Sequence, residues 1–324
     1  MKPLLTKFAL LVVSGVLGAM LVEQGYRLYV FGLDAFAPAQ LNSMRRLGVS
    51  GLLQASDVHE ILFELRPNLD TRFKLVPFET NSAGLRDEEH ALSRSGETTR
   101  IAVVGDSLTM ASGVRIEEAY HSKLEQRFNA LGDGRRYEFL NFGVGGYSLR
   151  QYAAVVEHRA LGYSPDLIVI GFTATNDYKI PDPSRFERRY RVRRPSRPFR
   201  ESFVWSSIQL MRVRAAEEGS EPAAATEEER AYLVHYLGRI GELCRSASVP
   251  CVLAYLWPGV SDPGPLPAIA RDSGLDFVDT TRVFEGRMPA EFAILVIDGH
   301  PDAAGHAMFA DALFPTLRNK LAMR

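Results

Sequence analysis

The sequence predicts an α/β protein: an open, doubly wound parallel sheet of about five strands, preceded by an N-terminal membrane helix. Three observations predict it. Strand-like and helix-like segments alternate from residue 99 to the C-terminus. Two of the strand-like runs, Ile101–Val104 and DLIVIGF at 166–172, are apolar almost throughout, as strands covered on both faces require. Residues 8–22 read FALLVVSGVLGAMLV and carry no charge.

The N-terminal run is preceded by Lys2 and Lys7 and followed by Glu23. It is slightly short for a spanning helix, which needs ~20 residues. Tyr26, Leu28, Tyr29, Val30 and Phe31 extend it with aromatics suited to a membrane interface. We read residues 1–31 as an uncleaved signal anchor. A cleaved signal peptide and a buried helix remain alternatives, although no Ala-x-Ala site follows the run. No lipobox cysteine is present. The lysines place the N-terminus in the cytoplasm and the rest of the chain outside.

Residues 32–98 read as a connector and N-terminal extension. It has some amphipathic helix early on and short strands and turns after Phe63, broken by Pro67, Pro77 and Gly84. Residues 99–324 form the α/β domain. Its predicted strands are Arg100–Val104, Tyr137–Phe142, Asp166–Phe172, Pro250–Leu256 and Leu275–Val278. Helices are predicted at Glu117–Leu131, stopped by Gly132, and after Ser148, where Gln151 completes a capping box. Thr226 and Glu229 open another, with Leu233, Leu237, Ile240 and Cys244 as its apolar stripe. Ala303–Leu321 closes the chain, with Phe309, Leu313 and Leu317 on one face. An irregular insertion at about 179–229 includes eight arginines between Arg185 and Arg200 and then an acidic, Ala-rich stretch.

Composition narrows the function. The net charge of −1 argues against a nucleic-acid partner. The only cysteines, Cys244 and Cys251, lack the spacing of a metal site, so no metal or other cofactor is expected. They could pair if the chain is exported. The reading we adopt is two small buried hydrophobes at a helix end and a strand start.

Folds of this kind bind ligands beyond the carboxyl ends of their strands. The first strand is followed by Gly105-Asp106-Ser107, which puts a hydroxyl at the sheet mouth, at or near a helix N-terminus. After the second come Gly143, Gly145, Gly146 and Ser148; after the third, Asn176 and Asp177; before the last helix, Asp298-Gly-His300-Pro-Asp302. A serine becomes a nucleophile when an imidazole takes its proton and a carboxylate orients that imidazole. The N–H groups of Ser107 and Gly146 and the amide of Asn176 are the candidate oxyanion donors.

These four blocks, in this order, resemble the SGNH or GDSL hydrolase superfamily. The resemblance covers about residues 60–324, and the segment NSAGLRD (81–87) resembles bacterial membrane-anchored members. It implies a three-layer, flavodoxin-like fold with the first strand between the second and third. It also implies Ser107 as nucleophile, His300 as base, and Gly146 and Asn176 in the oxyanion hole. The implied activity is hydrolysis of carboxylic esters of small molecules, lipids or glycans, on the outer side of a bacterial inner membrane. Two departures stand out. Ala174 replaces the usual glycine of the third block, and Asp298-Gly-His300 is one residue shorter than the usual Asp-x-x-His. The shorter spacing leaves Asp298 as the favoured orienting acid and Asp302 as the alternative. It also keeps open acyl transfer to a cell-envelope glycan. A catalytically silent glycan- or lipid-binding module is the remaining alternative. His306 is read as structural, and Asp106 and Asp177 as bonding local backbone. The arginine run reads as a solvated loop, with a membrane-facing patch or lid as the functional alternative.

Overall fold

A computed structural model of the chain describes residues 2–44, 47–94, 96–173, 177, 202–218, 226–257 and 262–322. The apolar N-terminus forms α1 (Lys2–Phe31), and its window of mean hydropathy 2.1 is wholly exposed. Among the described residues it is the one helix long and apolar enough to cross a membrane, a property that signal sequences share. Two short helices follow, α2 (Pro38–Ser43) and α3 (Leu47–Ser50). The extension then makes two antiparallel ribbons: β1 (Leu53–Ala55) with β2 (Phe63–Leu65), and β3 (Asp70–Phe73) with β4 (Val76–Glu79).

The central sheet contains β5 (Thr98–Gly105), β6 (Arg136–Asn141), β7 (Leu167–Thr173), β8 (Cys251–Leu256) and β9 (Asp276–Asp279). All four pairings are parallel, in the order β6-β5-β7-β8-β9. The first strand of the domain therefore lies between the second and third, as expected. Alternate residues face opposite layers. Ala102, Val104, Ile168, Ile170 and Leu253 point into one core with α5 (Leu149–His158) and residues from helices 227–246 and 266–272. Ile101, Val103, Val169 and Val252 point into the other, with α4 (Tyr120–Asn129) and the C-terminal helix 303–322. Each of these fully buried Val, Leu and Ile side chains contributes on the order of 1.5–3 kcal/mol, so the sheet is a rigid platform for its loops.

The remaining helices are α6 (Phe203–Glu218), α7 (Glu227–Ser246), α8 (Leu266–Asp272) and α9 (Ala303–Ala322). Both predicted capping boxes, Ser148–Gln151 and Thr226–Glu229, are formed. α6 lies inside the 179–229 insertion, so its described part is a helix and not irregular chain. It packs on α1: Phe203 meets Phe31 edge-on at 4.9 Å, and the Tyr26 hydroxyl donates to Ser207 Oγ at 2.6 Å. The arginine-rich run at 185–200 lies outside the described residues.

One expectation is corrected. Cys244 at the end of α7 and Cys251 at the start of β8 are joined by a disulfide. The helix end and the strand start meet across a seven-residue separation, which brings the two Cα atoms within 6.3 Å.

Candidate active site

Ser107 follows directly on the end of β5. Asp106, fully buried, uses Oδ1 to accept the Leu108 N–H at 2.9 Å and the Thr173 hydroxyl at 3.0 Å. It thereby ties the serine loop to the end of β7. The turn closes when the Met110 N–H donates to the Asp106 carbonyl at 2.8 Å and the Ser112 N–H to that of Ser107 at 3.0 Å. The expected helix N-terminus is not there; α4 starts only at Tyr120. The physical reason is local. Ala111 takes a left-handed φ of 57°, and Arg86 occupies the carbonyls a helix would use. The serine loop therefore offers individual N–H groups and no helix N-terminus.

Arg86 comes from the NSAGLRD segment and is 1% exposed. Its guanidinium donates to the carbonyls of Met110 (2.8 Å), Ala111 and Val114 (2.7 Å), and lies 4.6 Å from the Phe78 ring centre. Burial pushes it down to about 10, with Glu117 opposing the shift, so it remains a cation at neutral pH. Next to it, Asp87 accepts the Asn141 N–H at 2.8 Å, and the Asn141 amide donates to the Arg86 carbonyl at 3.0 Å. One segment thus grips both the serine loop after β5 and the glycine loop after β6.

The glycine loop lies close against the serine loop. A Cβ on Gly143 would run into the Met110 nitrogen and Thr109 backbone, and one on Gly145 would sit 3.5 Å from the Ser107 Cβ. Gly146 has a φ of +87°, which favours glycine. Neither the Ser107 N–H nor the Gly146 N–H donates to a backbone carbonyl among the described residues. Asn176 lies outside the described residues. Its neighbour Asp177 accepts the Thr173 N–H at 2.8 Å and the Tyr152 hydroxyl at 3.1 Å. Burial, reinforced by Asp106, pushes the Asp177 carboxyl well up, which fits a structural role.

His300 and Asp298 arrive on a separate ribbon, β10 (Ala293–Leu295) paired with β11 (Asp298–Pro301). His300 Nε2 is 2.9 Å from Ser107 Oγ, and Nδ1 is 2.5 Å from Asp298 Oδ1. A proton on Nδ1, shared with the carboxylate, leaves the Nε2 lone pair facing the serine hydroxyl. Asp302 does other work: its Oδ1 accepts the Gly305 N–H at 2.9 Å at the start of α9. The geometry thus distinguishes the two candidate acids. His306 is fully buried, accepts the Tyr120 N–H at 3.2 Å through Nδ1, and is pushed down to about 3 by burial. Burial and the Tyr120 contact fit a structural role.

Lys74, in the β3–β4 turn, reaches the other side of this pair. Its Nζ lies 2.7 Å from Asp298 Oδ2 and 2.9 Å from His300 Nδ1. Burial alone would raise Asp298; the charges of Lys74 and His300 outweigh it and hold the carboxyl far below the usual carboxylate range. Burial lowers Lys74, against the attraction of Asp298. Sequence reasoning missed Lys74, which lies 226 residues from His300 in a segment with no motif. It noticed the segment carrying Arg86 without giving it a task. Among the described residues no group of three His, Cys, Asp or Glu side chains is arranged to hold a metal ion.

The sequence model of the GDSL-like Lipase/Acylhydrolase family matches residues 103–308. The chain belongs to this family. No curated protein matches it. It resembles a two-domain esterase (CEX) active on acetylated mannans, with 20% identity and a TM-score of 0.47 over 70% of this chain and 50% of that one. The chain thus spans about half the length of that esterase. It is also similar to TesA (16% identity, TM-score 0.40, 68% of this chain and 99% of that one). A catalytic mutant of Axe2, an acetylxylan esterase from Geobacillus stearothermophilus, gives 18% identity and a TM-score of 0.42 over 68% and 94%. Likenesses at these scores carry no argument about substrate.

Proposed function

We propose that this protein is a membrane-anchored serine esterase that cleaves acyl or O-acetyl esters through Ser107, His300 and Asp298. The observation that carries the reading is the unbroken contact chain from Ser107 Oγ to His300 Nε2 and from His300 Nδ1 to Asp298. His300 takes the serine proton as Oγ attacks the acyl carbonyl carbon. The tetrahedral oxyanion is held by the N–H groups of Ser107 and Gly146 and the Asn176 amide, each donor worth roughly 3 kcal/mol of barrier. His300 then gives its proton to the departing alcohol. Water, activated by the same imidazole, releases the acid and restores the serine. No cofactor takes part.

The anchor reading rests on the apolar run of α1 and the two lysines before that run, and puts the catalytic domain outside the inner membrane of a bacterium. The Cys244–Cys251 disulfide favours the same side, because such bonds persist in oxidising compartments.

Ser107→Ala is expected to lower turnover of a short p-nitrophenyl ester by about 10⁴-fold or more, with the circular-dichroism spectrum unchanged. Retained turnover in a folded variant would sink the proposal. The short Asp298-Gly-His300 spacing favours one second reading, acyl transfer to a glycan hydroxyl in place of water. Product analysis with an acetyl donor and a glycan acceptor separates the two.

A further inference from the structure

We infer that Lys74 is a fourth member of the site, a positioning residue whose ammonium, seated on Asp298, opposes the positive charge that His300 gains with the serine proton. The inference rests on the triad reading above and adds a residue that lies outside the family-matched 103–308.

The placement of Lys74 is built by several elements. Lys74 and Leu75 form a turn with φ values of 48° and 69°, which favours glycine and which these two side chains adopt only under constraint. The constraint comes from Ser43 at the end of α2. Its carbonyl accepts the Lys74 N–H at 2.7 Å, and its Oγ accepts the Leu75 N–H at 2.9 Å. Arg72 Nε reaches Gln40 Oε1 on the same helix at 2.8 Å. Phe73, 2% exposed and packed edge-on to Phe78 at 5.6 Å, anchors the ribbon in the core. From below, Gly113 leaves room for both the Lys74 stem and Ile294 of β10.

The consequence is electrostatic. Asp298 gives one oxygen to His300 and the other to Lys74. When His300 takes the serine proton, two cations share one carboxylate, with Nζ 2.9 Å from Nδ1. At that distance the ammonium opposes a second positive charge on the ring. The other groups facing His300 are Ser107 from the β5 loop and, more remotely, His306 on α9, which senses the charge of His300. Both are neutral, so Lys74 is the cation that acts on the base.

The test uses the detergent-solubilised full chain, p-nitrophenyl acetate turnover and fluorophosphonate inactivation, from about pH 5 to about pH 9.5. Lys74→Gln is expected to move the acid limb of kcat/KM, and of the inactivation rate, upward by about one pH unit. The variant is then about tenfold slower near pH 6 and converges on the wild type in the alkaline range. Lys74→Arg keeps the charge and the wild-type limb. If Lys74→Gln does not fold, Lys74→Met keeps the volume of the stem and the same displacement is expected. A uniform loss at every pH with an unmoved limb overturns the inference, as does an equal displacement in Lys74→Arg. An active Ser107→Ala would overturn the triad itself; an inactive one beside an unmoved Lys74→Gln limb overturns only the role given to Lys74.

Discussion

The two halves of the site are held in different ways. The serine half is fixed by packing and by hydrogen bonds to its backbone carbonyls in the buried mouth of the sheet. Gly105 and Gly171 leave space for Thr109, whose hydroxyl meets that of Tyr120 at 2.9 Å, and Arg86 clamps the loop carbonyls from beneath. The histidine half rides on a two-stranded ribbon that, Pro301 apart, is partly buried or exposed. There the partners are charges: Asp298, 14% exposed, between His300 and Lys74. A nucleophile needs a fixed position, which close packing supplies. A base needs a fixed position and a suitable proton affinity, which charges at short range supply.

The difference predicts different failures. The largest effect on stability belongs to Arg86→Met. It leaves the carbonyls of Met110, Ala111 and Val114 without their donor in a buried setting, at a cost of about 3–5 kcal/mol. Urea unfolding measures the loss. Turnover of the folded fraction should fall evenly across pH, in contrast to the displaced limb expected of Lys74→Gln. A displaced limb in Arg86→Met would break the distinction between the halves.

A smaller effect joins them. His306 on α9 accepts the Tyr120 N–H, and burial holds it at about 3, while burial holds His121 at about 4. An unfolded histidine titrates near 6.5, so below that pH the unfolded chain binds protons that the fold refuses. Stability is therefore lost as pH falls from about 6.5 toward these folded values. His306→Phe removes one contribution, and the loss between about pH 7 and pH 5 should shrink by about 2 kcal/mol in urea melts at the two pH values. An unchanged loss would mean that His306 titrates normally. The variant costs some stability at neutral pH, because the Tyr120 N–H loses its acceptor.

The sheet was legible because two of its strands are nearly continuous apolar runs and two of its helices announce their starts with capping boxes. Ser107 and His300 were legible because each sits in a short local motif at a strand end or before a helix. Asp298 was legible as one of two carboxylates, and only geometry gave Asp302 to the α9 N-terminus. Lys74 and Arg86 were not legible as site residues. Their partners lie 226 and 24–28 residues away, and the β3–β4 turn has no glycine to mark its left-handed backbone. The turn that replaces the expected helix after Ser107 was hidden for the same reason, since Arg86 supplies what the local sequence does not. The disulfide depended on compartment, which the spacing of Cys244 and Cys251 does not encode.

The most direct test of the triad is fluorophosphonate labelling of the full chain followed by peptide mapping in a mass spectrometer. The account predicts one adduct, on Ser107, that stops ester turnover and is lost in His300→Ala. An adduct on another serine that stops turnover, or full turnover with Ser107 modified, would contradict it.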